Sequence, residues 1–202
     1  MGIYLHDANL RQKGYRRIAG IDEAGRGPIA GPVVAASVVL CDEIRIRGLR
    51  DSKKVPEKER ERLFWDVLCA AVDIGIGVVE HDEIDRLNIL QSTKLAMQRA
   101  LEDLKIPPDM LIIDAVTLPS VPIRQISPFK AESKSASVAA ASIIAKYVRD
   151  RIMLHYHEIY PEYNFLKHKG YGTREHLSLI QLHGPSPIHR KSYAGVMSLP
   201  LF

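Results

Sequence analysis

A mixed α/β fold, a five-stranded sheet flanked by helices with a helical C-terminal part, is what this 202-residue sequence predicts. Three observations predict it. Apolar strand-like runs crowd the beginning of the chain, strands and helical patterns alternate in the middle, and the last third reads almost wholly as helix.

The first strands are expected at Arg17 to Asp22, Val33 to Leu40 and Ile74 to Val79, the first two joined tightly enough to be antiparallel. A helix falls between the second and third: Asp51 and Ser52 are cap candidates and Pro56 suits a first turn. Its apolar stripe is Leu63, Phe64, Val67, Leu68 and Ala71. A second helix, roughly Gln91 to Leu104, precedes a buried strand at Leu111 to Asp114, and Pro122 to Ile126 supplies a fifth strand. The longest helix is expected from Ser135 to Tyr160, with Val138, Ala141, Ala145, Val148, Ile152 and Ile159 at helical spacing and Pro161 closing it. The small residues from Ala139 to Ser142 allow it to pack closely on the sheet. A last helix starts at Arg174 after a Thr173 cap and stops at Gly184. No repeat, low-complexity tract or linker interrupts the chain, so residues 1–202 are expected to form one domain, with 135–202 its helical, basic part.

The formal net charge of +4 conceals an asymmetry. Residues 1–129 hold 18 Lys and Arg against 19 Asp and Glu, whereas residues 130–202 hold 10 against 5, together with six of the eight histidines. A basic last third suits a surface that follows a phosphate backbone, although many proteins without a nucleic-acid partner are equally basic. Cys41 and Cys69, the only cysteines, sit in apolar settings that suit free, buried thiols in a reducing compartment. Met1 to Arg17 is too polar for a secretory signal, and the apolar runs are interrupted well short of about 18 residues. A cytoplasmic, monomeric protein without membrane attachment is expected.

The chemistry gathers around acids. Residues 20–31 read Gly-Ile-Asp-Glu-Ala-Gly-Arg-Gly-Pro-Ile-Ala-Gly, an acidic pair at the end of an apolar strand followed by a glycine-punctuated loop with one arginine. Carboxylates in such a place can hold a hard divalent cation, and the glycines let backbone amides approach a ligand. Side chains alternate along a strand, so Asp22 and Glu23 aim the same way only if the strand breaks near Glu23. A polar turn closing a hairpin is the bland alternative. Asp114 ends the apolar run Met110 to Ile113, at the carboxyl edge of a sheet where sites gather. Glu132 lies between Lys130 and Lys134, with Ser133 and Ser135 beside it, before the long helix; it is either a first-turn acid favoured by the helix dipole or part of a phosphate-facing surface.

Competing motifs fail on inspection. Gly20 and Gly25 have the gap of a phosphate-binding P-loop, but Arg26-Gly27 stands where Lys-Ser/Thr is required, and two acids in the loop would repel phosphates. Gly25, Gly27 and Gly31 miss the dinucleotide spacing by one residue. The histidines lack zinc-ligand spacing; His168 and His189 read as phosphate neighbours or surface residues.

Taken together, Asp22-Glu23-Ala24-Gly25-Arg26-Gly27-Pro28, Asp51-Ser52-Lys53, Asp114, Lys130-Ala131-Glu132-Ser133-Lys134-Ser135, Ala139 to Lys146 and His168-Lys169-Gly170-Tyr171-Gly172-Thr173 resemble the ribonuclease HII family in order and spacing across nearly the whole chain. The resemblance implies a ribonuclease H-like fold and endonucleolytic cutting of RNA joined to DNA. Its four acids, matched here by Asp22, Glu23, Asp114 and Glu132, imply catalytic ligands for two Mg²⁺ or Mn²⁺ ions. Glu132 after Lys130-Ala131 departs from the commoner Asp after Lys-Gly and is similar to the sister ribonuclease HIII group. Those chains carry a sizeable domain ahead of the first acid, whereas 21 residues precede Asp22, so ribonuclease HII is the expectation.

Four carboxylates converging within a few ångströms repel by roughly 4 kcal/mol per close pair at an effective dielectric of about 20, strain that two cations relieve. One ion would activate water and the other stabilise the leaving oxygen, about 4 Å apart, and its strand-end position makes Asp22 the expected shared ligand. The resemblance assigns Gly25, Arg26 and Gly27 to the ribose 2′-hydroxyl and Tyr171 to the adjoining sugar, at a junction where a ribonucleotide is followed by deoxyribose. The alternatives are an ordinary turn and a core tyrosine. Lys53 and Lys134 are expected either at phosphates or as solvated charges. The expected partners are RNA/DNA hybrids and DNA duplexes containing ribonucleotides. Ser198 to Phe202 resembles the Leu-rich, Phe-ending peptides that dock on the bacterial sliding clamp, the alternative being a tail packed on its own domain. Another nuclease of the same fold, or a non-catalytic hybrid-binding module, are the rival readings.

Overall fold

The computed structural model describes residues 2–114 and 116–197. In chain order the elements are α1 (Tyr4–Gln12), β1 (Ile18–Ala24), β2 (Val33–Leu40), a 3₁₀ turn (Ser52–Lys54), α2 (Glu57–Ala70), β3 (Ala71–Val79), α3 (His81–Leu87), α4 (Ile89–Glu102), β4 (Met110–Ile113), β5 (Gln125–Ile126), a 3₁₀ turn (Ala131–Ser133), α5 (Ala136–Ile159), a 3₁₀ turn (Pro161–Tyr163), α6 (Phe165–His168) and α7 (Arg174–His183).

The five strands lie in the order β3-β2-β1-β4-β5. β1, β2 and β3 form an antiparallel meander, while β4 joins β1, and β5 joins β4, in parallel. β2 is apolar from end to end because both faces are covered. Ala36, Val38 and Leu40 pack with α2 and α5, while Val33, Ala35 and Val39 pack with α4 and the β4 residues Leu111 and Ile113.

α5 is the central helix, and a glycine decides how near it comes. A Cβ on Gly20 would lie 2.1 Å from the Ser137 carbonyl carbon, so only glycine lets the first turn of α5 rest on β1. Ser135 caps that turn, accepting from the Val138 amide at 3.3 Å. Asp7 of α1 accepts from the Ser137 amide and hydroxyl at 2.9 and 2.8 Å, a buried carboxylate at a helix N-terminus. A separate cluster of Met153, Tyr163, Phe165, Ile180 and Ile188 binds the C-terminal helices to Ile29 and Ala30.

The strands and the long helices stand where expected, with corrections. β1 runs regularly through Glu23 to Ala24, so the break falls at Gly25, whose φ of +103° ends the strand. α1, α3 and α6 were not legible, being helices of 9, 7 and 4 residues, too short for a recurring amphipathic pattern. The fifth strand shrinks to Gln125–Ile126. Asp51 caps the 3₁₀ turn by accepting from the Lys53 amide, and Pro56 precedes α2 as its N-cap. α2 buries Leu63, Val67 and Ala70, which turns Leu68 and Cys69 outward; Cys69 is exposed and Cys41 only partly covered, so neither is a buried thiol. No described helix is long and apolar enough to cross a membrane. The Ser198 to Phe202 tail lies outside the described residues.

Candidate active site

The parallel pairing of β1 with β4 places the first two acids. Ile21 pairs with Ile113, so Asp22, still within β1, and Asp114, one residue past the end of β4, stand side by side. Asp114 Oδ1 accepts from the Ala131 amide at 3.0 Å, which draws the Ala131–Ser133 turn, and with it Glu132, to the same strand ends. Lys130 enters that turn in the left-handed region at φ 55°. Glu23 follows Asp22 on β1, and Arg26 Nη1 donates to its Oε1 at 3.3 Å.

The carboxylates feel one another. Burial first, and then the neighbouring Glu23, pushes the Asp22 carboxyl well above the usual range, despite the Glu23 amide donating to its Oδ1 at 2.8 Å. Burial likewise raises Glu23, with Arg26 opposing and Asp114 adding to the rise. Glu132 is raised by burial, by Asp114 and by Asp51. Burial pulls the Lys53 ammonium down, but Asp22, Asp51, Glu132 and Glu23 more than reverse this and leave it above the ordinary lysine value. Lys53 therefore faces the acids.

Among the described residues, no three of these acids already close into a metal cage. The donor set nevertheless fits a hard divalent cation. Its oxygens are carboxylate, its members repel one another, and Glu132 Oε2 is buried without a hydrogen-bond partner among the described residues.

The loop after β1 lies beside the acids and beneath an aromatic ring. A Cβ on Gly27 would stand 3.6 Å from Tyr171 Cε1, so ring and loop are neighbours. Tyr171 is 45 % exposed, which excludes the core role. Lys146 Nζ stands 6.0 Å from the ring centroid. The Gly170 carbonyl accepts from the Ile29 amide at 2.9 Å, tying the Tyr171 turn to the loop. Lys134 is not brought to the acids: it borders a surface hollow shared with His6 and Asn9 of α1.

His168 and His189 are buried rather than phosphate neighbours or surface residues. His189 Nδ1 accepts from the Ser186 amide at 2.9 Å, which leaves its proton on Nε2 to donate to His176 Nε2 at 2.9 Å. His176 Nδ1 in turn donates to the Tyr171 carbonyl at 2.9 Å. Burial depresses His176 to about 3 and His189 to about 4, so the chain is neutral. His176 and His189 stand 13 positions apart with no motif linking them, so sequence reasoning missed this chain. It also missed the charge that Asp51 adds to the acid cluster and the burial of Arg149 and Arg190, two of the ten basic residues in the last third.

A sheet of this order, with acids at the ends of its central parallel strands, defines a metal-dependent hydrolase of the ribonuclease H class. The structure is similar to ribonuclease H2 from Pyrococcus horikoshii OT3, with a TM-score of 0.75 and 29% identity over 90% of this chain and 96% of that one. It is also similar to ribonuclease HII in the Archaeoglobus fulgidus PCNA:RNase HII complex, with a TM-score of 0.74 and 26% identity over 88% and 95%. The ribonuclease HII family profile matches residues 19–196. The ribonuclease HII of Caldanaerobacter subterraneus subsp. tengcongensis is 50% identical over 94% of this chain and 78% of its own length. The chain belongs to the ribonuclease HII family and has ribonuclease H endonuclease activity.

Proposed function

We propose that this enzyme hydrolyses the RNA strand of RNA/DNA hybrids and cuts 5′ of single ribonucleotides embedded in duplex DNA, leaving 3′-hydroxyl and 5′-phosphate ends. The observation that carries the reading is the meeting of mutually repelling carboxylates with a loop roofed by an exposed tyrosine.

In this reading Asp22, Glu23, Asp114 and Glu132 are the ligands of two divalent ions. Bound Mg²⁺ or Mn²⁺ supplies Lewis acidity at the phosphate and lowers the pKa of the attacking water. Asp22 would be the shared ligand, because it stands beside Asp114, and burial first and then Glu23 oppose its charge, which an ion would relieve. Glu23 would hold metal with the other acids, and the Arg26 guanidinium now beside it would then be available to the nucleic acid. Lys53 offsets the charge of the acids and takes a phosphate oxygen near the cut. The Gly25-Arg26-Gly27 backbone reads the 2′-hydroxyl, and the Tyr171 ring stacks on the sugar that follows. Lys134 belongs to the outer edge of the nucleic-acid surface, where residues 135–202 add the basic helical part.

A labelled duplex containing one ribonucleotide, incubated with Mg²⁺ or Mn²⁺ and mapped at both ends, tests the proposal. Cutting 5′ of the ribonucleotide, with no product in EDTA, is expected. Equal cutting of an all-DNA duplex, or tight binding without product, overturns it.

The Archaeoglobus relative is seen in a complex with PCNA. We assign the corresponding sliding-clamp contact here to Leu199, Leu201 and Phe202. Removal of Leu201 and Phe202 is expected to abolish clamp binding in a pull-down, and retained binding refutes it.

A further inference from the structure

Two arginines in the least expected place bear on how the loop reads its substrate. Arg149 of α5 and Arg190 after α7 are both 0% exposed. Neither makes a salt bridge among the described residues; both donate to backbone carbonyls, Arg190 also donating from Nη1 to the Tyr193 hydroxyl at 3.2 Å. Arg149 donates from Nε to the Pro32 oxygen at 3.0 Å, from Nη1 to Lys169 at 3.0 Å and from Nη2 to Ala30 at 3.2 Å. Arg190 donates from Nε to Gly31 at 2.9 Å, from Nη1 to Arg26 at 3.2 Å and from Nη2 to Gly25 at 2.7 Å.

A buried charge without a carboxylate is costly, and the cost is visible. Burial and then mutual repulsion bring Arg149 down to about 10, and burial lowers Arg190, yet both stay charged at neutral pH. Hydrophobic residues could fill such a space. Two forks bonding five carbonyls between Gly25 and Pro32 do something they could not, which is to fix the orientation of the peptide planes.

That orientation has a consequence. In a trans peptide the carbonyl of one residue and the N–H of the next point opposite ways. With the Gly25 and Arg26 carbonyls held inward on Arg190, the Arg26 and Gly27 N–H groups face outward, and neither has an acceptor among the described residues. The fit is tight: a Cβ on Gly25 would lie 2.3 Å from Arg149 Nε. Through the Lys169 carbonyl, Arg149 also ties this loop to the turn that carries Tyr171.

We propose that Arg190 and Arg149 are positioning residues for ribose recognition, clamping the loop from inside so that the Arg26 and Gly27 amides are presented to the 2′-oxygen of the ribonucleotide. The proposal rests on the functional reading above and adds the residues that make the loop competent.

Arg190→Lys keeps the charge and removes the fork. Its cleavage is compared with wild type on two duplexes, one with a single ribonucleotide and one with a 2′-fluoro nucleotide at that position, alongside melting temperature and Mn²⁺ affinity. The expected result is a fall of about ten- to a hundredfold in the ribonucleotide-to-fluoro rate ratio, the scale of a misplacement near 1 Å, with Mn²⁺ affinity kept. An unchanged ratio, or a loss shared by both duplexes and accompanied by weaker Mn²⁺ binding, overturns the proposal. If the variant does not fold, wild-type protein supplies the test: the Arg149 and Arg190 Nε protons should exchange with solvent far more slowly than those of exposed arginines, and free exchange refutes the clamp. Whether wild type itself prefers the ribonucleotide is scored separately, so failure of the functional reading is told apart from failure of the clamp.

Discussion

The Ala131 amide donates to Oδ1 of Asp114 at 3.0 Å, and this one bond joins the end of β4 to the turn that carries Glu132. Two acids 18 positions apart thereby share a strand edge, and after burial it is Asp114 that most opposes the charged form of Glu132. Such a cluster costs folding stability that dispersing its charges would recover.

Asp22→Asn and Asp114→Asn should therefore separate activity from stability. Cleavage is expected to fall by roughly 10³-fold or more. The melting temperature should hold or rise by about 2–4 °C, the shift that relief of roughly 1 kcal/mol of repulsion gives a chain of this size. Asparagine Oδ1 at position 22 can still accept from the Glu23 amide. Unfolding of either variant at 25 °C would show the acids to be structural.

Glu132 tests the longer side chain. Glu132→Gln should weaken metal binding and rate together, whereas Glu132→Asp should keep activity with its optimum moved from Mg²⁺ toward Mn²⁺, which tolerates more distortion. Rates compared under both metals decide it; a glutamine variant as fast as wild type is no ligand variant.

Tyr171 is exposed and carries no charge toward the acids, so Tyr171→Ala should fold and bind Mn²⁺ normally. Its cleavage at a single ribonucleotide should fall about a hundredfold, with Tyr171→Phe in between. Wild-type rates for the alanine variant would leave the ring without a role.

Metal binding should depend on pH with a definite sign. Asp22, Glu23 and Glu132 have folded-state values above their ordinary ones, so part of the metal-free cluster holds protons that an ion must displace. Mn²⁺ affinity should rise from pH 5.5 to 7.5, with proton release seen by calorimetry in buffers of different ionisation enthalpy. The same raised values favour the metal-free fold in acid and lose that contribution as pH rises through them.

The buried histidines act in the opposite direction. His176 near 3 and His189 near 4 lie below the unfolded value of 6.5, so the unfolded chain binds more protons and stability falls as pH drops below 6.5. At pH 5 each is expected to cost about 2 kcal/mol relative to neutral pH. Melting scans from pH 7.5 to 4.5 should show the fall, with a shallower slope in His176→Gln.

How much of this was legible in the chain follows from the range of the forces involved. Apolar periodicity located the five strands and the long helices, because burial of one face leaves its mark every second or every third to fourth residue. It passed over α1, whose place depends on Asp7 capping a helix 130 positions away. The acids at 22, 23, 114 and 132 were visible as residue types at the ends of apolar runs. Their convergence was not, since it rests on the parallel register that sets Ile21 against Ile113.

The sequence by itself determined the fold class and the family, both written in local pattern and motif, and set four acids at the ends of apolar runs as candidates. Only the tertiary structure decided that Lys53 turns toward the acids while Lys134 turns to α1, that Tyr171 roofs Gly27, and that His168 and His189 lie inside. It alone revealed Arg149 and Arg190 as buried clamps on a loop more than 100 residues earlier in the chain. The physical reason is that burial and partner are properties of position in space. An arginine's composition and spacing are the same whether its guanidinium meets water or three inward-facing carbonyls.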